Sequence, residues 1–222
     1  MRPVIALFAK APLPGRVKTR LAVAIGPEHA ANLYQCFVRD ALDLLLTLRP
    51  DADIELHTDV KTDAWQEYQV PRKLQTTGGL GQRMQSALVA ALAEGRPAAM
   101  LMGADSPGLP ASHMRACLAS TADVTLGPTA DGGYYAIATR RTHPEMFAGV
   151  PWSTGQALKA TRAACERCGL STALGEEYFD VDEPGDLARL TRTAHLPRYT
   201  AEWIRTNRQD DRLAALLDSS GL

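Results

Sequence analysis

Five short segments gather the residue types that can do chemistry. The first, Lys10-Ala11-Pro12-Leu13-Pro14-Gly15-Arg16-Val17-Lys18-Thr19-Arg20, puts Lys10, Arg16, Lys18 and Arg20 in a loop broken by Pro14 and Gly15. Such a loop suits a polyphosphate. Lysine and arginine neutralise its charge, and backbone N–H groups at the loop and the next helix start add donors. The pattern G-x-G-x-x-G is absent, and a Walker A loop needs glycine directly before Lys18-Thr19, where Val17 stands. Phosphate would be held by another scheme; a solvated basic loop is the plain alternative.

The second segment, Gly78-Gly79-Leu80-Gly81-Gln82-Arg83, leads into a helical pattern. Its glycines would let the backbone approach a flat ligand at Gly79, Leu80 and Gly81, with Gln82 and Arg83 reaching a base edge or a phosphate; an ordinary flexible helix entry is the plain alternative. The third, Gly103-Ala104-Asp105-Ser106-Pro107, ends the most apolar run of the chain. A carboxylate there is costly without a cation, and Mg²⁺ is the hard, oxygen-seeking choice. The fourth, Asp131-Gly132-Gly133-Tyr134-Tyr135, either borders a substrate pocket or closes a hairpin. In the fifth, Phe179-Asp180-Val181-Asp182-Glu183-Pro184, strand alternation would aim Asp180 and Asp182 the same way. Asp182 then supplies the other half of a metal site with Asp105, or caps the helix that Pro184 opens.

The elements that must position these segments alternate between strand and helix. Val4 to Ala9 reads as a buried strand, and Asp53 to Thr58 as a second. Ala98 to Ala104 reads as a central parallel strand, with further strands near Val124–Leu126 and Tyr134–Ala138. Helices are expected from Gly26 to before Pro50, and over Leu80–Glu94, Ala111–Ala119, Thr154–Cys168 and Glu183–Ala194. Tyr199 to Leu217 adds one or two covering helices. This alternation implies an α/β fold, a mainly parallel central sheet with helices on both faces. Ligands of such sheets bind beyond the carboxyl ends of the strands, where the unusual residues fall. Residues 1–195 are expected to form the nucleotide-binding domain, and 196–222 a helical extension packed on it.

Composition narrows the function. With 222 residues and a net charge of −1, the chain has the length for a full core but not the basic excess of a general nucleic-acid binder. It lacks a signal-peptide core and any stretch near the ~18 apolar residues of a membrane span, so a soluble, cytoplasmic protein is expected. Cys36, Cys117, Cys165 and Cys168 offer no second ligand pair to match Cys165-x-x-Cys168, and read as reduced structural thiols. The histidines are scattered and receive no role.

The segments FAKAPLPGRVKTRL, GGLGQRM, MGADSP, DGGYY and FDVDEPGDL, in this order, resemble a bacterial family of small GT-A-fold glycosyltransferases. That family belongs to the nucleotide-diphospho-sugar transferase superfamily, and the resemblance runs from about residue 3 to 193. The loop around Pro14-Gly15 is also similar to the signature of sugar-nucleotide pyrophosphorylases, and Asp131-Gly132-Gly133 to the substrate loop of phospholactate guanylyltransferases. The resemblance implies Mg²⁺ or Mn²⁺ on Asp105 and Asp182, and phosphates on Arg16, Lys18 and Arg20. It also implies a substrate loop at Asp131, Gly132, Gly133 and Tyr134. A strict Asp-x-Asp is missing, because Ala104-Asp105-Ser106 carries one carboxylate.

The expected function is glycosyl transfer from a nucleotide-diphospho-sugar donor to a small-molecule acceptor, with Lys18 and Asp105 as the catalytic pair. The alternative chemistry is nucleotidyl transfer from a nucleoside triphosphate to a phosphorylated small molecule, releasing pyrophosphate. A non-catalytic nucleotide-binding domain is the reading from another class, and the missing glycine fingerprint disfavours a dinucleotide oxidoreductase.

Overall fold

A computed structural model describes residues 1–219. In chain order the elements are β1 (Val4–Ala9), α1 (Thr19–Ile25), α2 (Pro27–Leu46), β2 (Asp53–Thr58), β3 (Arg72–Leu74), α3 (Leu80–Ala93), β4 (Ala99–Gly103) and α4 (Ala111–Ala119). They continue with β5 (Val124–Pro128), β6 (Tyr134–Thr139), α5 (Ala157–Arg167), β7 (Thr172–Leu174), α6 (Pro184–Thr191), α7 (Arg198–Asn207) and α8 (Asp211–Ser219). The last three positions of the expected 196–222 extension lie outside the described residues. Among those described, no helix is long and apolar enough to cross a membrane.

Among the described residues, seven strands form one sheet in the order β3-β2-β1-β4-β6-β5-β7, with only β6 antiparallel to its neighbours. The unbroken apolar runs of β1 and β4 follow from burial on both faces. On one face Ile5, Leu7, Met100 and Met102 pack with Val38, Leu42 and Leu45 of α2 and Met114 of α4. On the other, Val4, Ala6 and Leu101 meet Met84 and Leu88 of α3 and Ala157 and Cys165 of α5. Each fully buried leucine here contributes about 1.5–3 kcal/mol. A third cluster joins Leu21, Phe37 and Leu187 to Trp203, Ile204, Leu213 and Leu216, so α7 and α8 pack on α1, α2 and α6.

Sequence and structure part in short elements. The helix expected from Gly26 is preceded by α1, and Gly26, at φ 84°, is the joint between the two. The edge strands β3 and β7 have only three residues each, too few to carry a readable period. Residues 154–156, expected as helix, form a turn before α5, following Ser153 at φ 61°.

Asp40 of α2 anchors the start of α7. Its carboxylate accepts from the amide of Tyr199 (2.8 Å) and from the amide and hydroxyl of Thr200 (2.9 and 2.6 Å). Burial works to raise its pKa and these bonds work to lower it. Asp40→Ala leaves three donors without this acceptor, two of them on the buried Thr200. The expected loss is about 2–4 kcal/mol, read as a lower urea midpoint; an unchanged midpoint would show that α7 holds without this anchor.

Candidate active site

β1, β2 and β4 end along one edge of the sheet, and the reversed β6 begins there. The basic loop leaves β1 at this edge and is held by main-chain contacts. The amide of Lys10 donates to Tyr34 Oη at 3.0 Å, and that of Ala11 to Asp59 Oδ1 at 2.7 Å. Gly15 turns the loop at φ 74°, beside an exposed Pro14. Lys10 and Arg16 extend exposed side chains for which, among the described residues, no acidic partner is found.

Lys18 points the other way. It adopts the left-handed conformation (φ 47°, ψ 44°) immediately before α1, at a cost of about 1–2 kcal/mol for a side chain with a Cβ. Its side chain is 2% exposed, and its Nζ contacts Asp105 Oδ1 and, at 2.8 Å, Asp182 Oδ1. Burial would lower its pKa, but the two carboxylates outweigh that and hold it above the ordinary lysine value. Asp182 is likewise kept below the usual carboxylate range: Lys18 and Arg20 overcome its burial. Arg20 spans Asp182 (2.6 Å) and Glu183 (2.9 Å) at the exposed rim.

Asp182 is brought to Asp105 by backbone pairing. Residues 178–181 run beside the end of β5, with the Tyr178 amide on Pro128 O and the Ala130 amide on Tyr178 O, both at 3.0 Å. The Val181 amide then donates to Asp105 O at 2.8 Å. In the same run Asp180 accepts a short hydrogen bond from Ser106 Oγ. Burial pushes the Asp180 carboxyl up to about 7, with the charge of Asp105 adding to it against the pull of Ser106 and Lys18. In the sequence Asp180 is marked by its alternation with Asp182, which does not reveal Ser106 as its partner.

The other expected contacts have local packing roles. Asp131 accepts from Thr129 Oγ1 (2.6 Å) and the Gly133 amide (2.9 Å), closing the β5–β6 hairpin turn. A Cβ on Gly132 (φ 86°) would collide with Gly155 O. Tyr134 turns its ring toward Trp152, and its hydroxyl lies 3.4 Å from Thr161 Oγ1. Gly79 caps α3, Leu80 packs on the second core cluster, and Gly81 lies under Phe147 and Trp152. Arg83 donates to Gln75 Oε1 at 2.7 Å, while its buried Nε has no partner among the described residues. Gln75, overlooked in the sequence, donates in turn to Ala9 O and His57 O.

The donor set of the clasp suits a hard cation. Asp105 and Asp182 aim carboxylate oxygens at the same ammonium, and about half of the Asp105 side chain is open to solvent. One or two carboxylates with ligand phosphates are enough for Mg²⁺.

The Asp180 carboxyl gives a pH test. A carboxyl whose native pKa is raised from 3.8 to about 7 contributes stability at low pH that is lost as pH rises through 7. In chelator, the stability of Asp180→Asn relative to wild type should therefore rise between about pH 4 and 7, by up to ~4 kcal/mol in urea unfolding. A difference that does not change with pH would mean that Asp180 ionises normally.

Residues 32–154 match the family described as "Uncharacterized protein conserved in bacteria (DUF2064)". No curated protein matches the sequence. A solved protein from Desulfovibrio desulfuricans G20, named a "putative nucleotide-diphospho-sugar transferase", is 29% identical at a TM-score of 0.86, with 100% of both chains covered. CMP:2-keto-3-deoxy-manno-octonic acid synthetase, solved with CTP, is 13% identical at 0.57, covering 86% of this chain and 97% of its own. A cytidylyltransferase from Leptospira borgpetersenii serovar Hardjo-bovis (strain JB197) is 12% identical at 0.57, covering 100% and 99%. The last two share the fold. The chain belongs to the bacterial DUF2064 family and is a transferase with the nucleotide-diphospho-sugar transferase fold.

Proposed function

We propose that this transferase takes a nucleotide-diphospho-sugar donor, with Mg²⁺ or Mn²⁺, and passes the sugar to a small acceptor in the cytoplasm. The observation that carries this reading is the clasp, in which Lys18 of the phosphate loop sits between Asp105 and Asp182. Three segments far apart in sequence meet there, at the edge where α/β sheets bind ligands.

In this reading Lys10 and Arg16, with the backbone at Pro14 and Gly15, hold the diphosphate. Gly79, Leu80, Gly81 and Arg83 border the nucleoside, and Asp131, Gly132, Gly133 and Tyr134 border the acceptor. Asp105 and Asp182 would hold the divalent ion, which when bound supplies positive charge to the leaving diphosphate. Lys18 then exchanges carboxylate for phosphate: the ammonium that balances Asp105 and Asp182 in the free protein balances the departing oxygens. Arg20 keeps Asp182 oriented through its second oxygen. The reaction needs position and charge, and no side chain need act as a nucleophile.

The single carboxylate at the end of β4 favours a second reading, nucleotidyl transfer from a nucleoside triphosphate. Product analysis with extract as the acceptor source separates the two. The first leaves a nucleoside diphosphate; pyrophosphate release, with no diphosphate from any sugar nucleotide, would overturn it. Nucleotide binding with no turnover from either donor would point to a non-catalytic nucleotide-binding domain.

Asp105→Asn is isosteric and leaves Lys18 paired with Asp182. Turnover should fall by about two orders of magnitude or more with little change in melting temperature. A fully active Asp105→Asn enzyme would remove Asp105 from the site.

Lys18→Ala frees two facing carboxylates. By calorimetry it should bind Mg²⁺ more tightly than wild type, yet bind a nucleoside diphosphate roughly tenfold or more weakly, with the bare nucleoside unaffected. Equal losses for nucleoside and diphosphate would make Lys18 purely structural.

A further inference from the structure

We propose that His143, Glu145 and Cys168 form a separate site for a borderline transition-metal ion, of which Zn²⁺ is the type. One ligand atom from each lies within 4.8 Å of the other two. The three side chains border a cavity of about 500 Å³ that also touches Ala148, Ala164 and Arg167. The position is remote from the clasp. His143 follows β6, whose end Thr139 pairs with Ala99 at the start of β4, while Asp105 follows the end of β4.

The donor types select the metal. Imidazole and thiolate, joined here by a carboxylate, suit zinc and its neighbours, and the first two are poor ligands for Mg²⁺. Three protein ligands with a water in the fourth position make an open tetrahedral site. Bonds of about 2.0–2.3 Å would set ligand atoms roughly 3.3–3.8 Å apart, a contraction of about 1 Å from the 4.8 Å limit. Cys168 caps the C-terminus of α5, where the helix dipole favours a cation.

Cys165 is excluded as a ligand, because it is fully buried with its Sγ toward Met146 O, and burial pushes its thiol up to about 11. His143 Nδ1 accepts the Glu145 amide at 3.2 Å, and this long bond is the contact given up on binding. The Cys168 S–H breaks, an S–metal bond forms and the proton goes to solvent. Thiolate and carboxylate cancel the two charges of the ion, so the nearby Arg167 meets a neutral centre. The bound ion would pin the loop after β6 to the end of α5. The segment so closed includes Trp152 and Gly155, which press on Gly81 and Gly132.

Full-length reduced protein, stripped with chelator, is titrated with Co²⁺. A thiolate-to-cobalt charge-transfer band should grow to one equivalent and vanish when Zn²⁺ is added. Cys168→Ser should abolish the band, Glu145→Gln should weaken Co²⁺ binding by about tenfold or more, and Cys36→Ser should match wild type. Zn²⁺ should raise the melting temperature of wild type but not of Cys168→Ser. Absence of the band in wild type at micromolar Co²⁺, or its survival in Cys168→Ser, would overturn the site.

Discussion

One ammonium group balances two carboxylates at the ligand edge of this sheet. Asp105 closes the most apolar strand and Asp182 stands before α6, and both turn toward the nearly inaccessible Lys18. Without a cation between them the two acids would repel in a partly desolvated place. The left-handed backbone at Lys18 is the local cost of delivering that charge, and backbone strain of this kind gathers at functional sites. Burial, strain and charge all converge on one lysine.

The architecture explains why these residues can meet. Parallel strands β1 and β4 carry the basic loop and Asp105 to the same edge. Residues 178–181 come back along the end of β5 and donate a backbone hydrogen bond to Asp105, which sets Asp182 against it. The glycines of the fourth segment serve this geometry by packing, since Gly132 admits the backbone of Gly155 where a side chain would collide. A tight neighbour can account for a glycine as well as a ligand can.

Much of the fold was legible because its central strands are buried on both faces and must be apolar without interruption. The runs 4–9 and 99–103, and the helical stripe through Leu33, Phe37, Ala41 and Leu45, admit little else. The edge strands β3 and β7 were not legible, being too short for a period and held by pairing alone. At the site, the facing of Asp105 and Asp182 followed from strand ends, but the inward turn of Lys18 did not, because no residue type marks a left-handed lysine. The cysteine pair was read along the chain, whereas His143 and Glu145 reach Cys168 only through the return of α5. Contacts made by such returns leave no spacing in the sequence.

If the clasp opens to a metal-bound nucleotide, Lys18 passes from carboxylate to phosphate. A crystal structure with Mn²⁺ and a nucleoside diphosphate, measured for anomalous scattering from manganese, tests it directly. The expected result is an anomalous peak bonded to Asp105 and Asp182, with Lys18 Nζ turned onto a phosphate oxygen. Manganese elsewhere, with Lys18 still joined to both carboxylates beside a bound nucleotide, would contradict it.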